Sequence, residues 1–213
     1  MQKPTAVKKL AQQIVSILGT KYPAPECALH HENPWQLLVA TILSAQCTDK
    51  RVNIVTPALF KKFTTIKDFA GAEQTDLEQA IHSTGFYRNK AKNIIACARA
   101  LLDKHKGKIP ETLEELTELP GVGRKTASVI LGTAFGKAEG IVVDTHVIRL
   151  SQRLGLSKNS DAVKIEQDLL QIIDKQHWIA FSHLLILHGR ERCPARRPDC
   201  DNCELQKICP KNI

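Results

Sequence analysis

The stretch LPGVGRKTA, residues 119–127, joins two segments that each carry a helical pattern. Upstream, Thr112 and Glu115 have the spacing of a capping box, and they precede an apolar face that Pro120 ends. Downstream, a second apolar stripe at helical spacing ends at Gly136. The sequence therefore predicts two helices joined by a tight turn that contains two glycines.

The lysine that follows this turn raises the question of a nucleotide-binding loop. That motif follows a β-strand and has a glycine directly before its lysine. Here Arg124 precedes Lys125 and the upstream segment is predicted to be a helix, so a nucleotide-binding loop is excluded. Two interpretations of the turn remain. Its amides bind a phosphate at a helix N-terminus, or its glycines only allow two helices to pack closely.

The rest of the chain repeats the helical periodicity. Asn33, followed by Pro34 and Gln36, is typical of a helix start, and residues 177–188 predict a helix that Gly189 ends. Patterns typical of β-strands are nearly absent, so the predicted fold class is all-α, with helices packed around shared cores. Further apolar stripes at helical spacing lie in residues 7–17, 35–42, 91–102 and 165–173.

The amino-acid composition indicates which class of binding partner suits the protein. The chain has 213 residues, a formal net charge of +8 and 5% aromatic residues. A basic balance suits a polyanion such as nucleic acid, whereas the few aromatic residues argue against a surface built on base stacking. No apolar run reaches membrane length, and the N-terminal segment lacks the apolar centre of a secretory signal. A cytoplasmic, nucleoid-associated protein is expected.

Four of the seven cysteines lie in the last 21 residues of the chain. The intervals between them are six, two and five residues, and the four are Cys193, Cys200, Cys203 and Cys209. Four thiolates in one short loop suit either zinc or an iron–sulfur cluster, and disulfides are a third alternative. Zinc sites usually have two pairs of closely spaced cysteines and this segment has one, but spacing alone leaves all three open. The remaining cysteines are expected to be structural.

Arginines surround the cysteine quartet. Arg190 and Arg192 precede it, and Arg196 and Arg197 lie inside its loop. Guanidinium groups bind phosphate oxygens well, so this segment is a candidate phosphate-binding surface. The alternative is a solvated basic segment with no ligand.

Lys125 and Asp144 carry groups that are able to take part in catalysis. A lysine amine is a nucleophile that forms Schiff bases with carbonyl carbons. Sequence alone also allows Lys125 to be an ordinary exposed lysine. Asp144 is expected to be the N-cap of the next helix, a role that is compatible with catalysis.

These motifs together resemble the helix–hairpin–helix superfamily of DNA glycosylases. The resemblance rests on residues 119–127, on Val143-Asp-Thr-His146 and on the cysteine quartet, so it spans almost the whole chain. The combination of Lys125 with the cysteine quartet resembles the endonuclease III branch of this superfamily. Such a member is a DNA glycosylase and lyase at abasic sites, with one [4Fe–4S] cluster on the quartet. Its partner is duplex DNA that carries oxidised pyrimidines or abasic sites, and a monomer without membrane association is expected.

The resemblance also implies roles for individual residues. Lys125 is the nucleophile, and Asp144 assists it and stabilises the positively charged sugar. Gln46 enters the space that a flipped nucleotide leaves, and Phe86 stands where the family usually has a leucine that wedges the opposite side. Further expected DNA contacts are Gly121, Val122, Gly123, Arg124, His146, Arg190, Arg196 and Arg197.

The same resemblance implies two helical lobes. Residues 27–137 form a six-helix lobe that contains the hairpin, residues 119–125. Residues 1–26 and 138–213 form the cluster lobe, with the cluster loop at residues 193–209. Lys125 and Asp144 are expected to face each other across the gap between the lobes. A non-catalytic DNA-binding protein that uses the cluster as a scaffold remains the alternative function.

Overall fold

The computed structural model describes residues 4–212, in which all regular secondary structure is helical and no β-strand is present. The predicted all-α class is therefore confirmed. Within the described part of the chain, no helix is long and apolar enough to cross a membrane. The chain divides into two compact units, Cys27–Lys137 (the hairpin unit) and Met1–Glu26 with Ala138–Ile213 (the cysteine unit). Residues 1–3 and 213, at the ends of the expected cluster lobe, lie outside the described residues.

The helices are numbered in chain order. The first, α1, spans Pro4–Lys21 in the cysteine unit. The hairpin unit, all of whose residues are described, contains α2 (Pro34–Leu43), α3 (Asp49–Lys62), α4 (Ile66–Ala70), α5 (Gln74–Ile81), a 3₁₀ turn (His82–Thr84), α6 (Tyr87–His105), α7 (Leu113–Thr117) and α8 (Arg124–Phe135). The cysteine unit continues with α9 (Thr145–Arg153), α10 (Ala162–Ile172), a 3₁₀ turn (Lys175–His177) and α11 (Trp178–Glu191).

The hairpin unit is built around the long helix α6. Helices α4 and α5 pack along α6, and α8 packs against both α2 and α7. The apolar stripes predicted from the sequence meet in one core, which includes Trp35, Phe69, Ile94, Leu101 and Ile130. Because α8 packs on two helices at once, the end that carries the glycine turn is fixed in place.

Side-chain caps determine where several of these helices begin. The Asn33 side chain accepts a hydrogen bond from the Gln36 amide, as predicted, while the Gln36 side chain accepts from the amide of Glu32. Thr112 accepts from the Glu115 amide at 3.3 Å, and its hydroxyl donates to the Glu115 carboxylate. These local bonds form over three or four residues, so the sequence pattern reveals them.

The cysteine unit has a separate core. Helix α1 packs on α10 and α11, and α9 packs on α11 and α10. Residues 141–143, the β-like run in the sequence, form no strand, and Ile141 and Val143 are buried in this core instead. The other core residues include Ile14, Leu18, Val147, Leu150, Leu169, Phe181 and Leu185.

The prediction that Gly189 ends the last helix is wrong. Helix α11 continues to Glu191, and Gly189 is buried inside it. A Cβ atom on Gly189 would lie 3.0 Å from Arg149 Nη2 and 3.1 Å from Leu150 Cδ1, both on α9. Gly189 is therefore present because α9 and α11 pack closely at that point, and not because the chain leaves the helix there.

Candidate active site

The predicted hairpin forms between α7 and α8. The Val122 amide donates to the carbonyl of Leu119 at 3.1 Å, which closes the turn. Gly123 is the N-cap residue of α8, and no side chain caps this helix. The first-turn amides of a helix have no partner inside the helix, so an uncapped N-terminus suits an external anion. Val122 itself is only 5% exposed, so its side chain is part of the core and only its backbone is suited to contact DNA.

Glycine is present at the two positions of the turn, 121 and 123, for different reasons. Gly121 has a φ of +79°, and a Cβ atom there would lie 2.8 Å from the Cβ of Asn93. Both facts require glycine for the fold alone. A Cβ atom on Gly123, in contrast, would have no heavy atom within 4 Å, and its φ is −88°. The hairpin unit itself therefore does not explain why residue 123 lacks a side chain.

Lys125 and Arg124 lie exposed in the first turn of α8. This position places the lysine directly after the uncapped N-terminus. Farther along the helix, the Ser128 hydroxyl donates to the Arg124 carbonyl at 3.0 Å, so it satisfies its own hydrogen-bonding capacity inside the helix. The exposed end of α8 thus presents backbone amides and a lysine amine side by side.

Asp144 is the N-cap of α9, as the sequence predicts. Its Oδ1 accepts hydrogen bonds from the amides of His146 and Val147, each at 2.8 Å. Its second oxygen, Oδ2, lies 3.0 Å from Nδ1 of the His146 ring. The carboxylate is about three-quarters buried, so these contacts hold it in one orientation.

A second imidazole near Asp144 does not stand out in the sequence. His183 on α11 is mostly buried, and burial lowers the pKa of its ring, while the negative charge of Asp144 acts in the opposite direction. His183 belongs to a helix 39 positions downstream, so no local pattern links it to Asp144. His183 is thus a second histidine near enough to be affected by the charge of Asp144, and the sequence indicates only His146.

Gln46 and Phe86, which both belong to the hairpin unit, each have a positive backbone φ angle. Gln46 has a φ of +52° and Phe86 a φ of +48°, a region that residues with a side chain rarely adopt. Both side chains are exposed, and Phe86 is 63% accessible despite its large aromatic ring. Strained backbone and an exposed aromatic residue are common at functional positions.

The four C-terminal cysteines line one cavity in the cysteine unit, together with Leu150, Leu154 and Leu205. None of the seven cysteines forms a disulfide, so that alternative is not supported. Burial raises the pKa of the Cys203 and Cys209 thiols, so a metal bound there must displace their protons. Four convergent thiols in a largely apolar cavity fit an iron–sulfur cluster or a zinc ion.

Two arginines of α9 hold the start of the cysteine loop, and sequence reasoning missed both. Arg153 Nη1 donates to the Pro194 carbonyl at 2.8 Å and lies 3.3 Å from Cys193 Sγ. Arg149 Nη2 donates to the carbonyls of Gly189 and Cys193, at 3.1 and 3.2 Å. Their spacing of four residues puts them on one face of α9, which is the only local sign of a shared role.

The arginines near the quartet do not form one uniform surface. Arg192 is ion-paired, with Nη1 3.2 Å from Asp199 Oδ2 and Nε 3.5 Å from Glu204 Oε1. Its charge is therefore largely compensated by two carboxylates of the protein, a difference from its neighbours that the sequence does not indicate. Arg190, Arg196 and Arg197 are exposed at the surface of the cysteine unit.

The predicted site residues thus belong to two sets. The hairpin unit carries the glycine turn, Lys125, Gln46 and Phe86. The cysteine unit carries Asp144, His146, the exposed arginines and the quartet. Each set has its own rigid support, namely α8 and α6 in the first and α9 and α11 in the second.

Comparison with known proteins identifies the family. Residues 39–175 match the family described as "HhH-GPD superfamily base excision DNA repair protein". The chain is 50% identical to endonuclease III of Synechocystis sp., over 99% of this chain and 96% of that one. It is 44% identical to endonuclease III of Bacillus subtilis, over 90% and 88% of the two chains. A solved structure of a trapped endonuclease III–DNA covalent intermediate superposes with a TM-score of 0.90 at 42% identity, covering 99% of this chain and 97% of that one.

These matches define a DNA glycosylase of base excision repair. The chain belongs to the endonuclease III family of the HhH-GPD superfamily. The resemblance drawn from LPGVGRKTA and the cysteine spacing is thereby confirmed, and the class of enzyme with it.

Proposed function

We propose that this protein removes oxidised pyrimidines from duplex DNA and then cleaves the strand at the resulting abasic site. The observation that carries the proposal is the exposed amine of Lys125. This lysine lies in the first turn of α8, close to the N-cap residue Gly123, which provides no side-chain cap. A structural relative was trapped in a covalent complex with DNA, which requires a nucleophile on the protein. Lys125 stands at the position of that nucleophile in the family motif.

The hairpin binds the DNA strand through its backbone. Gly123 has no side chain, and a Cβ atom there would meet nothing in the protein, so a phosphate oxygen is able to approach the amides closely. The helix dipole of α8 favours the negative charge at this end. Bound in this way, the strand is held beside Lys125, and the enzyme turns the damaged nucleotide out of the stack.

The chemistry begins with attack of Lys125 Nζ on C1′ of the flipped nucleotide. The bond between C1′ and the base breaks, and the base leaves with the bonding electron pair and takes up a proton. The amine then loses one proton, its lone pair forms the C=N bond as the C1′–O4′ bond breaks, and the ring oxygen takes up a proton, which gives a protonated Schiff base. Removal of a proton from C2′ then expels the 3′ phosphate, and water releases the lysine.

Asp144 supplies negative charge at the sugar as the base leaves. Its carboxylate is held by two backbone amides and contacts the His146 ring, so it does not need to reorient during the reaction. We assign it the task of stabilising the positive charge that develops at C1′ as the bond to the base breaks.

Gln46 and Phe86 occupy the space that the flipped nucleotide leaves. The amide of Gln46 offers both a donor and an acceptor to the unpaired base. The Phe86 ring is exposed and able to stack as a wedge on the opposite side. An aromatic wedge in place of leucine affects which opposite base is preferred.

The cysteine quartet holds one [4Fe–4S] cluster in this proposal. The cluster has a structural role, because it fixes the loop of residues 193–209, in which Arg196 and Arg197 are exposed. Those arginines and Arg190 contact DNA phosphates. Purified protein should contain about four iron atoms and absorb visible light, whereas a zinc site is colourless. Because its substrate is chromosomal DNA, we place the enzyme in the cytoplasm at the nucleoid.

Borohydride trapping on a duplex with an abasic site tests the proposed function. Reduction converts a Schiff base into a stable bond, so the wild-type protein should form a covalent protein–DNA complex. Lys125→Ala should abolish this complex and strand cleavage while duplex binding remains. The matched control is Lys164→Ala, because Lys164 is also an exposed lysine in the first turn of a helix.

The two variants separate the possible outcomes. Trapping that persists in Lys125→Ala would remove this residue from the proposed role. DNA binding by the wild-type protein without any trapping or base release would favour the non-catalytic alternative. Equal loss in both variants would indicate a general effect of surface charge.

A further inference from the structure

Two exposed loops of the hairpin unit carry Gln46 and Phe86, the residues proposed to fill the space that the flipped nucleotide leaves in the duplex. Gln46 lies three residues after the end of α2, and Phe86 immediately precedes α6. Both residues have positive φ angles, and each loop has local backbone bonds: the Cys47 amide donates to the Ser44 carbonyl at 3.0 Å, and the Lys90 amide donates to the Phe86 carbonyl at 3.1 Å. These bonds fix each loop by itself, so a further contact is needed to fix the two loops relative to each other.

Lys90 on α6 lies between these two loops. It is a lysine with only 5% of its surface exposed, which is unusual for this residue type. Its Nζ donates hydrogen bonds to the carbonyls of Leu43 and Thr84, each at 2.8 Å. Leu43 is the last residue of α2, and Thr84 is the last residue of the 3₁₀ turn. One ammonium group thus joins the roots of both loops.

The position of the ammonium has a clear physical reason. The last carbonyls of a helix lack partners within it and carry partial negative charge, so a cation is favourable at that end. Burial lowers the pKa of Lys90, and the nearby Cys47 acts in the opposite direction. A buried ammonium needs hydrogen-bond partners, and the two carbonyls accept from two of its three N–H donors.

We propose that Lys90 is a positioning residue that fixes Gln46 and Phe86 relative to each other, so that both side chains enter the duplex together. The inference rests on the proposed function, in which these two residues fill the space of the flipped nucleotide. Gln46 is three residues from one anchored carbonyl and Phe86 is two residues from the other. Release of both carbonyls therefore lets the two loops move independently.

The same helix offers a matched control. Arg99 on α6 donates from Nε to the carbonyl of Ala70, the last residue of α4, at 2.8 Å. This is the same kind of bond, from the same helix to a helix end, but it is nine residues from Lys90. Arg99→Met should therefore affect stability without affecting the two loops.

The experiment compares Lys90→Met, Lys90→Arg and Arg99→Met. Binding is measured by fluorescence anisotropy on an intact duplex and on one with a tetrahydrofuran analogue of an abasic site, and melting temperature is measured alongside. In Lys90→Met, the preference for the analogue should fall by about tenfold to a hundredfold, because displaced side chains no longer fill the gap. Binding to intact duplex should stay within about twofold, since phosphate contacts are unchanged.

The controls decide between positioning and simple stabilisation. Lys90→Arg, which keeps the charge and the donors, should restore most of the preference, and Arg99→Met should keep it fully. In a variant that already carries Gln46→Ala and Phe86→Ala, Lys90→Met should have little further effect on the preference. If Lys90→Met does not fold, Lys90→Gln replaces it, because the shorter amide cannot reach both carbonyls.

The contrary outcomes are distinct. If Lys90→Met keeps the wild-type preference for the abasic-site analogue, even with a lower melting temperature, the positioning role is overturned and the proposed function is not. An equal loss of preference in Arg99→Met overturns it as well, because the effect is then one of general stability. A wild-type protein with no preference for the abasic analogue contradicts both this inference and the proposed function.

Discussion

Gly121 and Gly123 are separated by one residue, but different constraints act on them. Gly121 combines a positive φ with a Cβ position that clashes with Asn93, so the protein itself requires glycine there. Gly123 has an ordinary φ and open space around its Cβ position. If the turn only served helix packing, only the first glycine would be needed.

The two glycines should therefore respond differently to alanine. Gly121→Ala should lower the free energy of unfolding by about 1–3 kcal/mol, because of the positive φ and the contact with Asn93. Gly123→Ala should change it by less than about 1 kcal/mol, yet weaken duplex binding, because the new methyl group stands where the phosphate approaches. Denaturant unfolding and anisotropy with duplex DNA measure the two effects.

Either of two results would contradict this division. Unchanged DNA binding in Gly123→Ala would mean that the turn serves packing alone. A loss of stability in Gly123→Ala as large as that in Gly121→Ala would mean that the open space around residue 123 is not available.

Asp144 combines a structural and a chemical task in one side chain. Two backbone amides bind Oδ1, which is the capping task, and Oδ2 lies beside His146. Asparagine caps a helix about as well as aspartate but carries no charge. The substitution therefore separates the two tasks.

Asp144→Asn should keep the fold and lose the chemistry. Its free energy of unfolding should stay within about 1 kcal/mol of wild type, with duplex binding retained. Base release should fall at least about a hundredfold, because the negative charge that stabilises the developing positive charge at C1′ is gone. Single-turnover assays on a duplex with thymine glycol, together with thermal melting, provide the measurement.

Alanine at the same position provides the comparison. Asp144→Ala removes both the cap and the charge, so it should lose about 1 kcal/mol of stability in addition. Parallel loss of stability, binding and base release in Asp144→Asn would show that the cap, and not the charge, is what matters.

At the scale of elements, the packing of α9 against α11 organises the cysteine unit. Gly189 lets the two helices approach closely, and the Gly189 carbonyl then accepts a hydrogen bond from Arg149. Arg149 and Arg153 reach from α9 to the start of the cysteine loop. The close packing of two helices thus determines where the first cysteine lies.

A methyl group at residue 189 should force these helices apart. Gly189→Ala should lower the free energy of unfolding by about 1–3 kcal/mol, because the new Cβ meets atoms at 3.0–3.3 Å from three side chains. The same substitution should reduce the iron content of purified protein, because α9 holds the cysteine loop. Thermal melting and iron analysis test both parts.

Gly19 in α1 provides the control. It is also inside a helix, but a Cβ atom there would have no heavy atom within 4 Å. Gly19→Ala should stabilise the protein by about 0.5–1 kcal/mol, because alanine favours the helix more than glycine does. If the two substitutions had the same effect, the close approach at Gly189 would not be the cause.

At the scale of the whole molecule, a net charge of +8 favours a polyanionic partner, but the charges differ in their availability. Lys8 is paired with Asp174 at 3.2 Å, and Arg192 is paired with Asp199 and Glu204. Arg196 and Arg197 are exposed in the cysteine loop. DNA binding should therefore depend on particular cationic side chains more than on the total net charge of the protein.

Duplex binding should weaken steeply with salt. The logarithm of the binding constant should fall linearly with the logarithm of the salt concentration, with a slope of about −0.9 for each phosphate contact. Arg196→Gln should make the slope less negative by about 0.9 if it removes one contact. Lys8→Gln should leave the slope unchanged, because Asp174 already compensates that charge. A flat salt response would contradict the basic surface.

The helices could be predicted because their signals are local. The cap at Asn33, the start of α8 at Arg124 and the cap at Asp144 each depend on residues within a few positions. The end of α11 could not, because Gly189 looks like a helix stop in the sequence. Whether glycine ends a helix or allows a neighbour to approach depends on α9, which lies about forty residues away.

The sequence by itself determined the all-α class, the glycine turn, the lysine after it, the capping aspartate and the four clustered cysteines. Each of these depends on spacing between near neighbours, which hydrogen-bond geometry and helical periodicity translate directly into structure. Only the tertiary structure decided that Lys90 joins the carbonyls of Leu43 and Thr84 and that Arg153 reaches the cysteine loop. The bonds from Lys90 to Leu43 and from Arg153 to Pro194 join residues more than forty positions apart, and the packing of helices, rather than any local pattern, brings them together.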